Sequence, residues 1–285
     1  MRKAPIRSTM KNLLTRTLSG AVFLALFLTA LLWHPAAYAV LFIFAVTVMM
    51  TEYLKITVGP HEEAAKVIAI VTGILTFLLM FLCCGYGLNW KWLLVLPVMV
   101  ALIYTAILFN KGSEAYRATP FILTSLIYIA LPFALTNLIV FSDDGDFDGR
   151  ILLAIMIIIW SSDVGAYLSG MAFGQKHGHK LFPSISPNKS WEGYFGGLVL
   201  SMVSGWCVSR FSLVDFPAAH SLILAFSVNI SSTVGDLAES QLKRNFGVKD
   251  AGSIMPGHGG LLDRFDGALL AFPVSVLYIE LFKLL

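Results

Sequence analysis

Charge is scarce in this chain. Asp, Glu, Lys and Arg make up 13% of its 285 residues, about half the share of an ordinary soluble domain. Hydrophobic residues make up 57%. Together these exclude a water-soluble globule, because no soluble core requires so much apolar surface. Cysteine is scarce too: Cys83 and Cys84 are adjacent, and Cys207 lies alone in an apolar run. None has metal-ligand spacing, so all three read as small apolar packing residues. The chain has no internal repeat, no low-complexity tract and no linker long enough to join a second domain. Its formal net charge is only +3, and it has no basic stripe of the kind that binds nucleic acid.

Long apolar runs are abundant. Nine reach or approach spanning length: Leu14 to Trp33, Ala36 to Leu54, Ala65 to Leu82, Trp90 to Phe109, Phe121 to Phe141, Ile151 to Phe173, Tyr194 to Phe211, Ala218 to Ala238 and Phe265 to Leu285. A crossing needs about 17–25 residues. Pro97, Pro132 and Pro273 fall inside runs, which membrane helices tolerate. The expected fold is therefore all-α, a polytopic integral membrane protein of about nine transmembrane helices. Five helices fall in residues 1–150 and four in residues 151–285, with a polar loop over 239–264, and the whole reads as one integrated membrane domain. With the N-terminus cytoplasmic, sixteen Lys and Arg lie on inner segments and four, Lys91, Arg150, Arg210 and Lys283, on outer ones. This is the positive-inside pattern. A basic start, an apolar run and Ala37-Tyr38-Ala39 also allow a signal-peptide reading, but the run is long for one and apolar sequence resumes at once.

Polar chemistry is concentrated late in the chain. Asp163 sits near the middle of the sixth run, where an acid costs about 2.5–3.5 kcal/mol. A hydrogen-bonded Asp that joins helices is the structural alternative to a functional acid. The eighth run ends in Asp236, Glu239, Ser240, Lys243 and Arg244. If the helix continues, Asp236, Ser240 and Lys243 or Arg244 share a face, while Glu239 and Lys243 read as a solvated i,i+4 pair. Asp263 and Asp266 open the ninth run three residues apart, after Pro256-Gly257-His258-Gly259-Gly260. Glycines before a helix start let backbone N–H groups approach an anion. Carboxylates suit a hard divalent cation, and the nearby Lys243, Arg244, Lys249 and Arg264 suit phosphate. Between the sixth and seventh runs, Lys189 also suits phosphate, and Ser190 either caps the next helix or touches the ligand. His177 and His179 read as a solvated loop. Asp144-Gly145-Asp146-Phe147-Asp148-Gly149 begins like a calcium loop, but Ile155 stands where the closing Glu belongs.

The run Ser240-x-Leu242-Lys243-Arg244-x4-Lys249-Asp250-x-Gly252-x2-Met255-Pro256-x-His258-Gly259-Gly260-Leu261-x-Asp263-Arg264-Phe265-Asp266 resembles the signature of the phosphatidate cytidylyltransferase, or CDP-diacylglycerol synthase, family. Met255 stands where that family usually has Ile, Leu or Phe. Pro187-x-Lys189-Ser190-x-Glu192-Gly193 and the Trp160-x-x-Asp163 pattern fit it too, so the likeness covers roughly the C-terminal half. The resemblance implies transfer of CMP from CTP to phosphatidate on the cytoplasmic face of the cell membrane. It also implies Mg2+, with room for a second cation such as K+. Carried onto this chain, it makes Asp236, Asp263, Asp163 and Asp266 the metal donors. It gives Asp236, Asp263, Lys243 and Arg264 catalytic roles. Lys189, Ser190, Ser240, Arg244, Lys249, His258, Gly259 and Gly260 become substrate contacts. The rival readings are a CTP-dependent polyprenol or phytol kinase and, in a different class, a secondary transporter. Membrane lipid is the surrounding partner, and Gly170-x3-Gly174 is a spacing that can pack helices in a homodimer.

Overall fold

In hydrocarbon every backbone N–H and C=O must find its partner within the protein, so apolar runs of this length fold as helices. The computed structural model describes residues 6–109, 113–174, 178–257 and 259–284. Its helices are α1 (Ile6–Leu32), α2 (Pro35–Thr57), α3 (Glu63–Tyr86), α4 (Val95–Leu108), α5 (Ser113–Ser125), α6 (Leu131–Leu135), α7 (Asn137–Val140), α8 (Arg150–Ser169), α9 (Trp191–Arg210), α10 (Ala218–Asn245) and α11 (Leu262–Phe282). Helix occurs at each of the nine expected runs. Seven segments among the described residues are long and apolar enough to cross a membrane. Among the described residues Thr17–Leu32 of α1 forms a shorter apolar segment, and α9 is not among the seven. The outward faces of the helices carry large apolar side chains, including Trp33, Val40, Leu94, Leu108 and Phe226, as a lipid-facing surface does.

The fifth run is broken where the sequence reads as one helix. Pro120 lies just before it, within α5, Pro132 lies within it, and a π-helical turn over Leu126–Ala130 joins α5 to α6. The polar insert after α8 is not entirely irregular. Lys180–Phe182 (β1) and Ser186–Ser190 (β2) pair antiparallel, an addition to the all-α expectation. One continuous core runs from Phe27 on α1 to Ile279 on α11, so helices from both halves of the sequence share it.

Two close helix contacts set the site. A Cβ on Gly165 of α8 would come within 3.0 Å of the Gly197 Cα on α9. A Cβ on Gly235 of α10 would come within 3.2 Å of the Gly267 Cα on α11. The second crossing brings the adjoining Asp236 and Asp266 to the same place. Below them, buried Asn229 of α10 donates to Ser162 Oγ of α8 at 2.7 Å, a polar tie between packed helices. Gly170 and Gly174 are used within the chain: a Cβ on Gly174 would meet the Ser190 Cβ at 2.9 Å, and one on Gly170 the Gly193 Cα at 3.8 Å.

Candidate active site

The end of α8, the start of α9, the inner part of α10 and the start of α11 surround a cavity of about 680 Å³. Asp163, Lys189, Ser190, Asp236, Asp263, Arg264 and Asp266 all line it. At about 1.5 Å per residue, the 28 residues of α10 exceed the hydrocarbon thickness, so its last turns carry polar groups beyond the apolar span. Asp236 and Ser240 share a face as the spacing predicts, with Ser240 Oγ donating to Asp236 Oδ1 at 3.3 Å. The ammonium on Asp236 comes from neither of the basic residues expected on its face, Lys243 or Arg244. It belongs to Lys189 of β2, whose Nζ lies 2.5 Å from Oδ2. Asp163 and Asp266 complete an acidic wall whose carboxylates repel one another and Asp236.

Lys243 serves two other acids. Its Nζ lies 2.5 Å from Glu239 Oε2 and 2.7 Å from Asp263 Oδ1. The i,i+4 pair with Glu239 exists, but the Glu239 side chain is 0% exposed, so the expectation of a solvated pair is overturned. Glu239 lies on the buried face of α10.

Asp263 is heavily committed. It accepts from Lys243 Nζ, from the Ala251 N–H through both oxygens (3.2 and 2.9 Å) and from the Gly260 N–H at 2.8 Å. Those bonds take up the roughly four lone-pair sites of a carboxylate. Asp263 therefore staples the loop 251–260 to α11. Among the described residues, no group of three His, Cys, Asp or Glu side chains is spaced to hold a metal ion. An ammonium group sits instead on Asp236 and on Asp263, two of the four expected donors.

The glycine-rich approach to α11 does meet anions, but they are protein carboxylates. Gly260 N–H goes to Asp263, while Leu261 and Leu262 N–H go to Glu52 of α2. Gly259 turns with φ +87°, and its carbonyl accepts from Met255 N–H at 3.0 Å. Sequence reading passed over Glu52 because it falls at the end of the second run. The available signal was one acid within Thr51-Glu52-Tyr53-Leu54.

The other predicted residues are distributed around this centre. Ser190 Oγ accepts the Gly193 N–H at 3.2 Å and so caps α9, while also lining the cavity. Glu192, one residue into that helix, accepts the His179 N–H at 3.0 Å and contacts its ring nitrogen at 3.2 Å. The backbone bond does most to hold its carboxyl down, to about 2. Arg244 is exposed and donates weakly to the Ile185 carbonyl of the hairpin at 3.4 Å. Lys249 and Gly259 line a neighbouring polar cavity of about 620 Å³ that shares Arg264 with the first. His258 lies outside the described residues. A third cavity, about 390 Å³ and apolar, lies between α1, α2 and the loop, and shares Phe23 and Met255 with the acidic one.

A family model described as the cytidylyltransferase family matches residues 14–282. The chain is 41% identical over 127 residues to the phosphatidate cytidylyltransferase of Bacillus subtilis (strain 168), covering 45% of this chain and 46% of that protein. It is 44% identical over 133 residues to that of Staphylococcus saprophyticus, covering 46% and 49%. Against that of Brucella suis biovar 1 it is 41% identical over 140 residues, covering 49% and 50%. The chain spans about half the length of the curated relatives it matches.

Proposed function

We propose that this chain, which belongs to the cytidylyltransferase family, transfers the CMP group of CTP to phosphatidate, giving CDP-diacylglycerol and pyrophosphate. One observation carries the reading: an acidic and basic cavity adjoins an apolar one across Phe23 and Met255. A lipid phosphate needs both, a charged seat for its headgroup and an apolar course for its chains. The relatives named phosphatidate cytidylyltransferase support the same substrates.

Both substrates are anions, so the chain must first neutralise their repulsion. Lys189 and Arg264 line the cavity and are the phosphate ligands, with Lys249 serving from the neighbouring polar cavity. Ser190, Ser240, Arg244 and Gly259 are the further substrate contacts in this reading, while the Gly260 N–H is taken by Asp263. A phosphatidate phosphate oxygen attacks the α-phosphorus of CTP in line, a new P–O bond forms, and the bond to the β-phosphate oxygen breaks. The electron pair leaves on pyrophosphate. The attacking phosphate is already ionised, so no protein base is needed. Fixed cationic side chains stabilise charge as it moves to the leaving group.

Carboxylate oxygens are the kind of donor that suits Mg2+. Asp163, Asp236 and Asp266 line one wall and would supply them once drawn together, since as they stand no three acids among the described residues are spaced to hold an ion. Five clustered carboxylates, Asp163, Asp236, Glu239, Asp263 and Asp266, face three cationic side chains, Lys189, Lys243 and Arg264. Asp263 joins the ligands only if Lys243 and the loop amides release it. Bound there, the ion supplies charge neutralisation at the triphosphate. The positive-inside bias supports nine crossings, a cytoplasmic N-terminus and a cavity reached from the cytoplasm.

The test is incubation of purified protein with phosphatidate, Mg2+ and CTP labelled at the α-phosphorus. Label in the lipid fraction with release of pyrophosphate supports the reading. Lipid labelled only from γ-labelled CTP, with CDP released, identifies a kinase and sinks it.

A further inference from the structure

Glu52 lies about 210 residues before the helix start that it holds. Only 8% of it is exposed. Its Oε2 accepts the Leu262 N–H at 2.8 Å and its Oε1 accepts the Leu261 N–H at 3.2 Å. Two glycines make room for it. A Cβ on Gly260 would lie 2.8 Å from both carboxylate oxygens, and a Cβ on Gly252 would also run into this side chain. The positive end of α11 meets the buried negative charge.

Three consecutive amides at this turn, on Gly260, Leu261 and Leu262, thus bond to two protein carboxylates. Asp263 fastens the loop to α11, and Glu52 fastens both to α2. The next residues on α11 are Asp263, Arg264 and Asp266, all lining the acidic cavity. We propose that Glu52 is a positioning residue for cytidylyl transfer: through Leu261 and Leu262 it fixes where α11 begins, and so where those three side chains stand. The proposal rests on the cytidylyltransferase reading for its kinetic readout. A displacement of about 1 Å in a reacting group costs about a hundredfold in rate, so loosening one turn is enough to show.

The experiment compares wild type with E52A, E52D and E52Q, full-length and purified. Rates are taken per folded molecule, counted by size-exclusion chromatography. In E52A and in E52D, whose carboxylate is one methylene short, kcat is expected to fall about 10- to 100-fold, with KM for CTP and phosphatidate within about twofold of wild type. E52Q keeps one acceptor oxygen for Leu262 N–H and is expected to lose only about three- to tenfold. A merely structural cap would lower the amount of folded protein and leave kcat per folded molecule unchanged, and that result overturns the proposal. If E52A and E52D do not fold, a wild-type kcat in E52Q overturns it equally. Amide hydrogen exchange gives a readout independent of turnover. In E52Q, peptides spanning 251–262 are expected to exchange faster while those of α8 do not, and unchanged exchange at 251–262 counts against the proposal. Wild-type protein that fails to label lipid refutes the assigned reaction, while the exchange result still decides the role of Glu52.

Discussion

Lys243→Met removes the one ammonium shared by two buried acids. The Lys243 side chain is 13% exposed, that of Glu239 0% and that of Asp263 6%, with contacts of 2.5 and 2.7 Å. Methionine keeps most of the apolar stem, so the change is chiefly the loss of charge. Removing one partner of a buried ion pair costs about 3–5 kcal/mol, because the remaining charge has no water to turn to. At about 2–4 °C per kcal/mol for a chain near this size, the melting temperature should fall on the order of 10 °C. Asp263 keeps its bonds to Ala251 and Gly260, but Glu239 is left with no counter-ion. Glu239→Gln added to K243M removes that charge and should recover about 1–2 kcal/mol, a non-additive result expected of groups in contact. Heating detergent-purified protein and following the surviving size-exclusion peak measures both. A K243M melting temperature within about 2 °C of wild type, or a double variant no more stable than the single, refutes the reasoning.

Asp236→Asn should abolish lipid labelling while leaving the melting temperature within about 2 °C, since Asp236 is partly open to the cavity and pairs with one flexible lysine. Asp263→Asn should instead lose both activity and stability, because its amide NH2 would face N–H donors. Equal melting temperatures for the two variants would contradict the distinction. Ser190→Ala removes the α9 cap and a hydroxyl that lines the cavity; it should cost about 1 kcal/mol, read as a small fall in melting temperature, and lower lipid labelling per folded molecule as well. Chelation with EDTA should stop turnover and added Mg2+ should restore it; full activity in EDTA would remove the metal from the proposal.

The fold was legible wherever a single segment decides its own conformation. Long apolar runs gave the helix positions, because backbone satisfaction in hydrocarbon is a local requirement. The chemistry was legible for the same reason: Asp163, Asp236 and Asp266 stand out in an apolar chain, and they do line one cavity. What could not be read was pairing between segments. Spacing along α10 puts Lys243 or Arg244 on the face of Asp236, yet the ammonium there comes from Lys189, a position that the hairpin and the α8–α9 crossing bring near. The glycine-rich turn before α11 reads as a place for an anion, but no periodicity could name Glu52 as the group bonded there across about 210 intervening residues. Glu239 makes the same point from the other side. Its i,i+4 lysine is visible in the sequence, whereas its complete burial depends on which face of α10 turns inward. Sequence supplies the charges of this site, and helix crossings assign their partners. A charge-conserving swap of Lys189 for Arg therefore tests more than composition. Arg keeps the charge but changes reach and shape. If the 2.5 Å pairing with Asp236 sets the cavity, K189R should lose activity despite an unchanged net charge, and wild-type rates in K189R would show that charge alone suffices.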